Sequence, residues 1–97
     1  MTFIETVIDT WKELSNPAFQ STIKRSEDGS RLTIEVITQQ YAATIEAWEQ
    51  AYSMDITAVE LISNTGVLLS AGECTSLDEM KERITLLCEM LSKAQCI

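Results

Sequence analysis

Tyr41-Ala42-Ala43-Thr44-Ile45-Glu46-Ala47-Trp48-Glu49-Gln50-Ala51-Tyr52 is the stretch whose reading decides the fold. Taken with a helical period, Tyr41, Ile45, Trp48 and Tyr52 fall at i, i+4, i+7 and i+11, and the alanines between them favour helix. Taken with period two, Thr44 to Trp48 alternates, and Gln39-Gln40 is just long enough to return the chain as an antiparallel hairpin. The residues of this segment leave both readings open.

Outward from it, the patterns are clearer. Arg31 to Thr38 (RLTIEVIT) alternates Leu32, Ile34 and Val36 with Thr33, Glu35 and Ile37 and is rich in β-branched residues, so it reads as a strand. Met54–Ser63 and Val67–Cys74 read as two more, joined by Asn64-Thr65-Gly66, where Gly66 is expected to supply the left-handed residue. Phe19 to Ile23 allows a short extended piece before the turn signal Glu27-Asp28-Gly29-Ser30. Thr2 with Glu5 three residues on is a capping box, and Phe3, Ile4, Val7, Ile8, Trp11 and Leu14 follow at helical spacing until Asn16-Pro17 stops them. A first helix over about 3–15 is expected, with Trp11 in the core. Ser76 with Glu79 repeats the signal ahead of Leu77, Met80, Ile84, Leu87, Cys88 and Leu91, predicting a last helix to about Lys93. Glu79–Arg83 and Glu89–Lys93 are its favourable i,i+4 pairs.

Composition bounds what such a chain can do. With 97 residues, 45% of them hydrophobic, one domain over 1–97 with one two-layer core is the expectation. There is no histidine, which removes the commonest general base and the most frequent transition-metal ligand. Cys74, Cys88 and Cys96, spaced by 14 and 8, match neither a CxxC pair nor a four-ligand zinc site. They read as reduced thiols of a cytoplasmic protein, Cys88 on the buried stripe and Cys74 and Cys96 exposed. Asp78 and Glu79 are explained by the dipole of the helix they begin. No catalytic residue, metal ligand or cofactor is therefore expected, and the chain reads as a non-enzyme. Its first residues carry no basic region and no apolar run reaches the ~18–20 residues of a membrane span, so neither export nor insertion is expected.

Fifteen acids against seven bases give a formal charge of -8. No base lies between Leu32 and Met80, where Glu35, Glu46, Glu49, Asp55, Glu60, Glu73, Asp78 and Glu79 fall, while the flanks are balanced. That asymmetry repels nucleic acid and anionic lipid and would attract and orient a basic protein surface.

The run from Leu32 to the last helix resembles the TriTu family of immunity proteins, which protect bacteria from polymorphic toxins. The resemblance is carried by Thr44-Ile45-Glu46-Ala47-Trp48-Glu49, by Asp55 through Ile62, by Asn64-Thr65-Gly66 and by Ser76-Leu77-Asp78-Glu79. It implies a strand over 42–48 and an α+β fold of order α-β-β-β-β-α, in which N- and C-terminal helices pack on one face of a four-stranded antiparallel sheet. If Leu32, Ile34 and Val36 face those helices, Glu35 points the other way, Glu46 and Trp48 share a face, and Glu60 can join them. The expected partner-binding set is Glu35, Glu46, Trp48, Glu49, Tyr52, Asp55, Glu60 and Glu73. Trp48 has a second reading as a core residue, and Tyr41 and Tyr52 as rim residues. The function implied is a cytoplasmic immunity protein that binds a cognate, basic toxin domain through this acidic surface. The alternative is a small acidic type III secretion chaperone, which would interpose a helix at 41–52, dimerise and hold an effector segment. Self-association through the free sheet face is compatible with either.

Overall fold

The computed structural model describes residues 2–95. Helix α1 (Phe3–Leu14) is followed by strands β1 (Gln20–Arg25), β2 (Arg31–Ile37) and β3 (Tyr41–Trp48). A single 3-10 turn (Gln50–Tyr52), strands β4 (Ser53–Glu60) and β5 (Thr65–Ser70) and helix α2 (Leu77–Gln95) complete the chain. The strands form one antiparallel meander in the order β1-β2-β3-β4-β5, each pairing only with its sequence neighbours.

Tyr41–Trp48, most of the decisive stretch, is a strand, and tertiary packing explains why its helical propensity loses. Ala43, Ile45 and Ala47 are buried on the helix-covered side, level with Val36, Ile34 and Leu32 of β2 and with Ala58, Ile56 and Met54 of β4. The small alanines let the helices approach the middle of the sheet, while Trp11, Ile4, Met80, Ile84, Leu87 and Leu91 fill the layer above. As a helix, the same segment would split that apolar row around a cylinder and leave β2 and β4 without a partner between them. Burial outweighs a propensity difference of a few tenths of a kcal/mol per residue.

Four expectations are corrected. The sheet has five strands, because Gln20–Arg25 extends the edge of the sheet. Only Ile23 of this strand packs against the core, so its apolar signal in the sequence is weak. Its register is fixed by the turn instead: Asp28 Oδ1 accepts from the Ser26 hydroxyl at 2.7 Å and from the Ser30 backbone N–H at 3.0 Å, and Gly29 takes φ +75°. In the β4–β5 hairpin the strands stop at Glu60 and begin at Thr65, and the left-handed residue is Asn64 (φ +56°), with Gly66 already in β5. Cys74 is buried, held by its backbone bond to Tyr52 O, whereas Cys96 lies outside the described residues.

The helix ends follow their signals. Thr2 Oγ1 accepts from Glu5 N–H and Ser76 Oγ from Glu79 N–H, each at 3.1 Å. Both helix N-termini border one cleft, so α1 and α2 start at the same end of the sheet. No described helix is long and apolar enough to cross a membrane.

Candidate functional site

The helices leave one face of the sheet uncovered. Register places on it Thr22 and Lys24 of β1, Arg31, Thr33, Glu35 and Ile37 of β2, Thr44, Glu46 and Trp48 of β3, and Asp55, Thr57 and Val59 of β4. The carboxylates expected there are not left bare. Glu35 pairs with Lys24 at 3.2 Å and Glu46 with Arg31 at 2.6 Å. Arg31 also lies over the Trp48 ring, 5.6 Å from its centroid, which places a cation against the expected aromatic anchor. Asp55 stands directly opposite Glu46 and accepts from the Gly72 N–H at 3.1 Å. Bases that are remote in sequence therefore break this face into mixed-charge pairs.

Glu60 does not belong to that face. Because Glu46 pairs with Asp55, the free side of β4 reads Asp55, Thr57 and Val59, and Glu60 falls in phase with Met54, Ile56 and Ala58, opposite Tyr41 at the far end of the sheet. Glu35 is removed from the remaining acids by its position on β2. The other six expected residues, Glu46, Trp48, Glu49, Tyr52, Asp55 and Glu73, converge at the β3–β4 corner, the end where both helices begin.

This corner is built by an unusual backbone. Ala51 (φ +66°) and Tyr52 (φ +47°) are consecutive non-glycine residues in the left-handed region, each costing roughly 1–2 kcal/mol relative to ordinary helical geometry. The turn leaves Tyr52 55% exposed, with its ring tilted against Phe3 at 5.4 Å. A depression on the free-face side is lined by Trp48, Gln50, Ala51, Ser53 and Asp55 and encloses about 410 Å³. Across the ridge, a cleft of about 540 Å³ is lined by Phe3, Glu49, Tyr52, Ser76, Leu77 and Met80 among others.

Glu49 has a role that its sequence context did not reveal. Its carboxylate accepts from Phe3 N–H at 3.0 Å and Ile4 N–H at 3.1 Å, closing the first turn of α1 from across the molecule. Burial opposes its charge, but the Ile4 and Phe3 N–H donors, the Thr2 hydroxyl and the charge of Arg25 together hold its carboxyl below the usual range. Arg83 forms the expected i,i+4 pair with Glu79, but its wider role was not foreseen. It donates to Gly72 O at 3.0 Å, Glu73 O at 3.0 Å and Met54 O at 3.4 Å, and pairs with Glu79. It thereby fixes the loop that carries Glu73.

Charge concentrates at this end. Glu5, Glu27, Asp28, Glu46, Glu49, Asp55, Glu73, Asp78, Glu79 and Glu82 lie in its loops, first two helical turns or adjoining strand ends, ten of the fifteen acids, against Lys24, Arg25, Arg31, Lys81 and Arg83. Three of those bases are already engaged, by Glu35, Glu46 and Glu79. Among the described residues no three His, Cys, Asp or Glu gather to hold a metal ion. Burial pushes the Cys88 thiol up to about 11 and raises that of Cys74, which opposes thiolate formation in both. Comparison with protein-family models, with curated proteins and with solved structures finds no match.

Proposed function

We propose that this chain is a cytoplasmic binding protein of the immunity type, which neutralises a cognate toxin domain by covering it, and that the β3–β4 corner is what it presents. The observation that carries the reading is the corner itself. A strained turn holds Tyr52 out of the surface, Trp48 flanks it, and the acids outnumber the bases around it. Strained backbone clusters at ligand clamps and switch regions, and exposed aromatics at the centre of a patch are the usual anchors of tight interfaces. The surrounding charge fits a basic partner and acts chiefly on the rate of encounter. The TriTu resemblance supports the same reading, since its Trp-Glu pair is Trp48-Glu49. The chaperone alternative required a helix over 41–52, and β3 occupies most of that segment.

The test is binding to the toxin domain encoded beside this chain, followed by stopped-flow mixing at low and high salt. Expected are a Kd in the nanomolar range or tighter, an association rate that falls about tenfold or more as salt rises, and a loss of about tenfold or more in affinity for Tyr52→Ala. Absence of binding, or a Tyr52→Ala protein that binds and protects as well as the parent, would overturn the proposal.

A further inference from the structure

The other end of the molecule carries a second, chemically opposite surface. Leu61 through Gly72 is the longest run without a charged residue in the chain, and it contains the β4–β5 hairpin tip and the edge strand β5. Its side chains are exposed although they are apolar: Ile62 89%, Leu68 64%, Val67 48% and Leu61 47%. They make up four of the nine exposed large hydrophobic residues among those described. Among the described residues, no strand lies beside the outer backbone edge of β5. Natural edges are guarded by charge, proline or a covering element, and the opposite edge, β1, carries Lys24 and Arg25 for this purpose. β5 has no such guard.

We propose that β5 is a self-association edge, pairing antiparallel with β5 of a second copy of this chain about a two-fold axis, so that two sheets join into one. Charge decides in favour of a second copy. Two molecules of charge -8 repel each other wherever acids meet, and β5 with the hairpin tip lies in the longest uncharged segment, which brings none together. The geometry is also self-complementary. Val67 stands opposite Ala58 on the helix-covered side and Leu68 opposite Thr57 on the free side, so a two-fold operator sets apolar side chains against apolar side chains on both faces. The helices of both copies then lie on the same side, and both β3–β4 corners stay open. The inference does not rest on the toxin-binding reading and can fail or succeed without it.

The experiment is sedimentation of the full chain over a range of concentrations, at low and high salt, with Leu68→Glu, Val67→Glu and, as a control on the free face, Ile37→Glu. Far-UV circular dichroism reports that each variant is folded. Expected is a dimer in the parent and in Ile37→Glu that tightens as salt rises, because salt screens repulsion and leaves apolar pairing intact. Leu68→Glu, which is open to solvent and leaves the core untouched, weakens the dimer on the order of 100-fold or more, since each association loses two buried leucines and gains two like charges. Val67→Glu does the same and serves if Leu68→Glu is unfolded. A parent that stays monomeric at high micromolar concentration overturns the proposal. So does a dimer that dissolves in salt, one abolished by Ile37→Glu while the β5 variants retain it, or a monomer that captures an extended apolar peptide on β5 instead of its own copy.

Discussion

Glu49 shows how one carboxylate can look functional in sequence and be structural in space. It accepts two backbone N–H groups of α1, bonds that a charged acceptor makes about twice as strong as a neutral one. Glu49→Gln keeps the shape and loses the charge, so it should lower stability by about 1 kcal/mol near neutral pH, a fall of roughly 4–8 °C in Tm for a domain of this size. The pH dependence has a definite sign. The folded carboxyl is held below its ordinary 4.5, so its contribution is complete above that value and is lost as pH falls through the depressed one. Glutamine does not titrate, and the gap in urea midpoint between the two proteins should therefore close on acidification. A gap that stays constant to low pH would contradict the role. Two residues on, Ala51 occupies a left-handed conformation that glycine adopts freely. Ala51→Gly should raise stability by about 0.5–1 kcal/mol, a small gain because glycine also loosens the unfolded chain. A thermal melt lower than that of the parent would show that the Ala51 methyl group contributes contacts outweighing the strain.

Elements are where sequence and structure agreed best and where their disagreements are instructive. α1 and α2 were legible because cap, apolar stripe and stop all point to the same boundaries, Thr2 and Ser76 bonding as their positions require. β2 was legible from strict alternation. β1 was not, since an edge strand with one core contact carries almost no apolar pattern. β3 stood between two periods, and what settled it was the pair of strands needing a partner on either side, a constraint that no local window contains. Of the anchoring of α2, the sequence showed the Glu79–Arg83 pair and not the carbonyls that Arg83 reaches. Arg83 reaches three carbonyls on β4 and the loop before α2, with only 14% of its side chain exposed. Arg83→Lys keeps the charge and the stem but loses the planar fork, and should cost about 1–2 kcal/mol, with Arg83→Ala costing more because the carbonyls lose their donor as well. Urea midpoints measure both, and a lysine variant equal to the parent would mean that charge alone matters there.

At the scale of the whole molecule, the candidate site was legible in part. The cation-free segment from Leu32 to Met80 pointed to an acidic surface, and six of the eight expected residues do gather at one corner. The uniform acidic sheet face did not form, because Lys24 and Arg31 return to it through the β1–β2 hairpin and neutralise Glu35 and Glu46. Charge counted along a chain cannot see that return. Period two misplaced Glu60 for a related reason: which residues of β4 face outward depends on its pairing with β3, and only the register Glu46 to Asp55 fixes it. The molecule that results is polarised, with acids and the exposed Tyr52 at the end where both helices start and an uncharged apolar hairpin tip at the other.

The bond from Glu49 to Phe3 and Ile4 spans 46 and 45 residues, whereas every strand meets only its nearest neighbour along the chain. During synthesis α1 is translated well before the residue that closes its first turn, and an isolated helix of that length is marginal in water. The meander can zip up hairpin by hairpin as it emerges. α1 thus depends on a residue made much later, and it gains a place to dock only once Glu49 and the end of β3 are in position.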